Sequence, residues 1–254
     1  MHTDGRRIYA IGDIHGCLAD LAAIHHRIRA DLAADPHDRA VVVHVGDYVD
    51  RGPDSRGVIE ALIGWDLPAE RICLMGNHDD LMLKFLDQPH GMWCRFHWLD
   101  EALGGRATLA SYGVAPGGDP DALAAAARAA IPARHLEFLR GLARSHRIGD
   151  FIFVHAGLRP GRALEDQDPE DLIWIRGEFL DSDADHGGIV VHGHTPAARI
   201  ELRHNRINID TGCVFGRSLS CIRIEGGRIW ALEANGLRPL RLPPGPRGRP
   251  PLRR

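Results

Sequence analysis

The chain has 254 residues, 44% of them hydrophobic, enough to bury one substantial core without requiring a second domain. Its 31 basic and 34 acidic side chains nearly cancel, and a formal net charge of −3 argues against a broad surface for nucleic acid or anionic membrane. Five cysteines, none in a C-x-x-C pair, argue against a disulfide framework and a zinc ribbon and fit a reduced cytoplasm, and no apolar run is long enough for a signal peptide or a membrane span.

In chain order, "RRIYAIGDIHG" reads as an apolar strand ending in a Gly-Asp turn, and "CLADLAAIHHRIRADLAAD" follows with apolar residues at helical spacing. "RAVVVHVGDYVDRG" repeats the strand and turn, "SRGVIEALIGW" is the next helix, and "RICLMGNHDD" is a third strand breaking at Gly-Asn. Such alternation predicts parallel strands with helical crossovers. From Leu81 to Arg147 the pattern is mostly helical, an excursion from the sheet expected to form part of the substrate wall. Short strands return at "DFIFVHAG", "GGIVVHGHT" and "RINIDTG", and "LSCIRIEGGRIWALE" reads as a hairpin turning at Gly226-Gly227. The expected organisation is a single domain over 1–237, with an arginine- and proline-rich tail over 238–254 that is expected to be disordered.

Five of these strands end in residues of metal-ligand type: Asp13 and His15 in "GDIHG", Asp47 in "GDYVDRG", Asn77 in "GNHD", His155 in "VHAG" and His194 in "GHT". Ligands of open α/β sheets bind beyond the carboxyl ends of strands, and the glycines beside these residues permit tight turns and close approach. Among 16 histidines any single one is more often a surface or satisfied polar residue; His44 reads as structural, and His192, on the strand side of its glycine, is a poorer candidate than His194. The ordered set carries the signal. Carboxylate, imidazole and carboxamide together suit divalent manganese, iron or zinc, and the absence of cysteine argues against a structural zinc.

In this order, "GDIHG", "GDYVDRG", "GNHD", "HAG" and "GHT" resemble the calcineurin-like metallophosphoesterases, specifically the phosphoprotein phosphatase branch that includes bacterial serine/threonine protein phosphatases. The resemblance covers about residues 7 to 233. It implies an α/β fold of two facing mixed sheets flanked by helices. It also implies two divalent metal ions, manganese first with iron or zinc as alternatives, one held by Asp13, His15 and Asp47 and the other by Asp47, Asn77, His155 and His194. Asp47 would bridge. Arg51 and Arg176, the latter in "LIWIRGE", match the family's phosphate-binding arginines; His78 matches its proton donor and Asp50 the carboxylate that orients it.

This chain departs from the family pattern at three places. Asp79 stands where glutamate usually follows "GNH", Met75 stands where many members carry arginine before it, and Pro196 replaces the second histidine of the phosphodiesterase branches. The activity implied is hydrolysis of a phosphate monoester on a phosphorylated protein or small molecule, a metal-bridging hydroxide attacking in line. A serine/threonine protein phosphatase is the first reading. Met75 keeps open a dinucleoside-polyphosphate hydrolase acting on diadenosine tetraphosphate, and a non-catalytic phosphate-sensing module is the third alternative.

Overall fold

In a computed structural model of the chain, residues 1–115 and 117–245 are described. Strands β1 (Arg7–Ile11), β2 (Ala40–His44) and β3 (Glu70–Cys73) run parallel, joined by helices α1 (Leu18–Ala34) and α2 (Ser55–Ile63). Each helix forms for a legible reason: α1 buries Leu21, Ile24, Ile28 and Leu32 along one stripe, and the Asp54 carboxylate caps α2 by accepting from the Gly57 amide at 2.7 Å. The excursion then supplies α3 (Asn77–Asp87), α4 (Gly105–Ser111), α5 (Pro120–Ala130) and α6 (Ala133–Arg140). It ends earlier than expected, because β4 (Ser145–Ile148) takes its last residues and pairs antiparallel with β5 (Phe151–Val154).

The second half adds α7 (Asp171–Trp174), α8 (Gly177–Leu180), β6 (Ile189–His192), β7 (Glu201–Leu202) and β8 (Arg206–Asn208), then β9 (Cys221–Glu225), β10 (Arg228–Glu233) and β11 (Gly236–Leu240). Two mixed sheets result, in the orders β11-β10-β9-β1-β2-β3 and β4-β5-β6-β8-β7. This is the α/β fold of two helix-flanked sheets that the sequence predicts. The central strands β1, β2, β5 and β6 are buried on both faces and almost continuously apolar, whereas β3, β4, β7 and β11 are partly exposed. Tyr9, Ile11 and Val42 pack beneath the helices, whereas Ile8, Ala10, Val41 and Val43 meet Phe151, Phe153, Val191 and Ile207 between the sheets. On the far side, Ile152, Val154 and Val190 pack with Leu172, Ile173 and Phe179 of α7 and α8.

The tail begins later than its composition suggests. Arg238, Pro239 and Leu240 lie in β11, paired with Ala231, Trp230 and Ile229 of β10, and Leu240 and Leu242 pack against the inter-sheet core. Pairing with an existing strand supplies hydrogen bonds and a buried face that a composition argument ignores. The tail residues 246–254 lie outside the described residues. Among the described residues no helix is long and apolar enough to cross a membrane.

A partly buried ionic cluster ties β1 and β9 to the C-terminal end of α1. Glu225 accepts from Arg7 Nε at 2.9 Å and from Arg223 Nη2 at 2.6 Å, and both arginines also reach Asp35. Burial raises the Glu225 carboxyl, but the two arginines outweigh it and hold the group below its ordinary value of 4.5. Because the folded-state value is depressed, this contribution is fully present above pH 4.5 and is lost as pH falls through the folded-state value. Glu225→Gln is expected to cost about 1 kcal/mol at neutral pH, low for charge-assisted bonds because the side chain is 26% exposed. Denaturant melts at pH 7 and pH 3.5 check this: the deficit should shrink at the lower pH, and an equal deficit at both would refute the assignment.

Candidate metal centre

Six strands that run parallel to their neighbours, three in each sheet, end at one edge, and each delivers a polar side chain there. β1 leads to Asp13, β2 to Asp47, β3 to Asn77, β5 to His155, β6 to His194 and β8 to Asp210. All six are buried, as are His15 and His78. Small spacers make this convergence possible: a Cβ on Gly76 would lie 2.1 Å from Asp47 Oδ1, and one on Gly193 would lie 1.9 Å from Asp13 Oδ1.

The Asp47 carboxylate sits at the middle. Its Oδ2 is 3.4 Å from His15 Nε2 on one side and 3.4 Å from His155 Nε2 on the other, while Oδ1 accepts the His78 backbone N–H at 3.0 Å. Two groups whose ligand atoms lie within 4.8 Å of one another share this residue, one with His15 and His78 and the other with Asp13 and His155. Asn77 Oδ1 joins the second group, 3.0 Å from His155 Nε2 and accepting from His194 Nδ1 at 2.8 Å. Asp13 also lies within reach of His155, and His78 stands beside His15, their ring centroids 4.7 Å apart.

Hydrogen bonds behind the site aim the imidazoles. His15 and His155 donate from Nδ1 to the carbonyls of Val49 and Val45, at 2.8 and 3.0 Å, which turns each Nε2 inward. Burial pushes the His15 imidazole down to about 3 and His194 well below its ordinary value, so both are neutral donors. Burial raises the Asp13 carboxyl well above the usual range, with Asp210 and Asp47 adding to the rise. For Asp47 burial is opposed and overcome by His155 and His78, which hold it well below that range. Asp13 Oδ1 and His194 Nε2 are buried with no hydrogen-bond partner among the described residues. Crowded carboxylates, neutral imidazoles and orphaned acceptors form a donor set that fits divalent cations.

The second acid of "GDYVDRG" is fully buried and fully bonded. Asp50 Oδ2 accepts from His78 Nδ1 at 2.7 Å and Trp98 Nε1 at 2.9 Å, and Oδ1 accepts from Thr108 Oγ1 at 2.8 Å. His78 is thereby held with Nε2 free to face the site. Asp79 accepts three backbone N–H groups, from Gly76, Asp47 and Tyr48, each at 2.9 Å, and so pins the β2 turn to the start of α3. Burial, and then the charge of Asp47, raise its carboxyl to about 8 despite those donors.

Arg51 donates to His15 Nε2 at 2.6 Å, and Arg176 reaches Thr195 Oγ1 at 3.4 Å. Burial lowers the Arg176 guanidinium, while Asp47, Asp210 and Asp13 raise it and Arg51 opposes them, which places both arginines in the field of the same acids. Backbone strain collects here too. Of the six described non-glycine residues with positive φ, five are His15, Asp47, Asp50, Arg51 and His194. Each costs on the order of 1–3 kcal/mol, which marks the turns as set by the site rather than by local preference.

Sequence reasoning missed Asp210, Trp98 and Thr108. Asp210 carried a usable signal, since "RINIDTG" has the same strand, acid and glycine pattern as the motifs that were singled out. Trp98 and Thr108 carried none: they lie 48 and 58 residues from Asp50 and meet it only through the packing of the excursion.

The family model for calcineurin-like phosphoesterases matches residues 6–216. The chain is 28% identical over 239 residues to the asymmetrical bis(5'-nucleosyl)-tetraphosphatase PrpE of Oceanobacillus iheyensis, covering 85% of this chain and 88% of that one. It is 30% identical over 234 residues to serine/threonine-protein phosphatase 1 of Salmonella typhimurium, covering 87% and 93%. A solved structure, the cold-active protein-tyrosine phosphatase of a psychrophilic Shewanella species, superposes with a TM-score of 0.59 at 17% identity, over 89% of this chain and 77% of that one, a likeness of fold. With the motif order, the two-sheet architecture and the matched span in agreement, the chain belongs to the calcineurin-like phosphoesterases.

Proposed function

We propose that this phosphoesterase is a dinucleoside-polyphosphate hydrolase with diadenosine tetraphosphate as its model substrate. The observation that carries the choice is the place of Met75. Its side chain is 6% exposed and packs with Ile152, Val154 and Ala156, so the end of β3 offers apolar packing where the resemblance leads one to expect a phosphate-gripping arginine. Arg51 and Arg176 remain to hold the equatorial phosphoryl oxygens. Similarity to bis(5'-nucleosyl)-tetraphosphatases of both the asymmetrical and symmetrical kinds supports the same reading. The serine/threonine protein phosphatase reading takes second place, supported by the Salmonella relative.

In this reading Asp13, His15, Asp47, Asn77, His155 and His194 hold two divalent ions, manganese being the first to test. Such ions supply Lewis acidity toward the phosphoryl oxygens and lower the pKa of water to yield a nucleophile near neutral pH. The chain's own residues do the rest. Asp47 places one carboxylate between both groups, Arg51 and Arg176 orient the phosphate, and Asp50 fixes the His78 ring so that Nε2 can give its proton to the departing oxygen. A cytoplasmic location fits the five free cysteines and a nucleotide substrate.

Steady-state assays on manganese-reconstituted protein test the choice. We expect kcat/KM for diadenosine tetraphosphate to exceed that for a phosphoserine peptide by at least ~10-fold. The reverse preference would overturn it, and chromatography of the products separates two ADP from ATP plus AMP.

A further inference from the structure

A cavity of about 750 Å³ opens beside Arg51, between the excursion and the loop after β8, with Leu99, Ala107, Val214 and Phe215 in its wall. We propose that it seats one nucleobase of the substrate, stacked on Phe215. The inference rests on the nucleotide reading above and names the residue that would recognise the nucleoside end.

Phe215 is 58% exposed, one of the few large apolar side chains left in water, and it stands at the end of a 3-10 turn, Cys213–Phe215. Its place is built. Gly212 and Gly216 bracket the turn at φ +70° and +82°, the Phe215 amide donates to Gly212 O at 3.0 Å, and Thr211 Oγ1 closes the loop on Ser218 O at 2.7 Å. Cys213, buried, anchors the turn against Cys17 and Asp20 at the start of α1. An aromatic ring carried on a turn held this firmly and left open is a stacking surface whose backbone needs no further ordering.

Arg51 links this ring to the chemistry. Its guanidinium carbon lies 5.6 Å from the Phe215 ring centroid while Nη1 touches His15 Nε2 at 2.6 Å. A phosphate gripped by Arg51 at the metal centre therefore leaves the adjoining ribose and base next to Phe215. The cavity, at about 750 Å³, accepts a nucleoside, within the range of small-molecule sites. Base-to-aromatic stacking tolerates any base, because every base has a π face.

The test compares the native protein with Phe215→Ala and Phe215→Tyr, each reconstituted with manganese, on diadenosine tetraphosphate and on base-free inorganic tripolyphosphate. The ratio of KM for the dinucleotide to KM for tripolyphosphate should rise on the order of 10-fold in Phe215→Ala and return toward the native value in Phe215→Tyr. Taking the ratio cancels any disturbance of Arg51, and an unchanged ratio would overturn the proposal. Calorimetric binding of AMP against inorganic phosphate separates the two ideas. If native protein fails to cleave the dinucleotide yet prefers AMP to phosphate through Phe215, the function falls and the base site stands. If the dinucleotide is cleaved and Phe215→Ala leaves the AMP preference intact, the base site falls alone.

Discussion

Asp47→Asn is expected to lower metal content below two ions per chain and to reduce phosphoesterase activity by more than ~100-fold. Loss of an outer partner of a metal ligand already costs about 10–100-fold in affinity or activity, and this carboxylate faces both candidate groups at once. The amide keeps the shape but removes the negative charge, and its NH₂ end, turned toward His15 and His155 Nε2, has no lone pair to offer a cation there. Elemental analysis of the purified variant, with circular dichroism to confirm that it is folded, checks the result. Two full ions per chain would contradict the bridging role.

His78→Asn should leave both ions in place and lower turnover within the ~10²–10⁴-fold range of general acid catalysis. The physical argument predicts where in that range each substrate falls. A nucleotide leaving group ends in a phosphate with a second pKa of about 6 and departs without much help, so diadenosine tetraphosphate should lose near the lower limit. An alkyl phosphate such as phosphoserine must expel a far more basic alkoxide and should lose near the upper limit. A plot of the loss against leaving-group pKa is therefore the decisive measurement. A flat plot would remove His78 from the acid role, and loss of one ion would assign it as a ligand, a possibility raised by its grouping with His15 and Asp47. Trp98 and Thr108 both hydrogen-bond the Asp50 carboxylate that accepts from His78 Nδ1.

The strand ends were legible before any coordinates. An apolar run followed by Gly-Asp, Gly-Asn or His-Ala-Gly is a local pattern, and the physics behind it is local too: an unbroken apolar run suits a strand buried on both faces, and glycine lets the backbone turn at its end. Hence parallel strands with helical crossovers and the candidate residues from Asp13 to His194 could be read from the chain, while the two facing sheets came from the family resemblance that the ordered motifs carry. Composition was a poorer guide at the tail, where Pro239 and Arg238 join β11 because β10 offers them a partner.

What only the tertiary structure decided is which remote side chains meet. The sequence places Asp47 and Asp50 three residues apart, but αL turns send the first toward the imidazoles and the second to a buried pocket closed by Trp98 and Thr108 from the excursion. It likewise takes the packed fold to bring Arg51 of the β2 turn against Phe215 of the loop after β8, and to bring Asp210 close enough to raise the Asp13 carboxyl. Local pattern determines where a strand ends and what it carries there. The pairings between those ends depend on how helices and loops far apart in sequence share one core, and that information resides in the packing of the whole chain rather than in any segment of it.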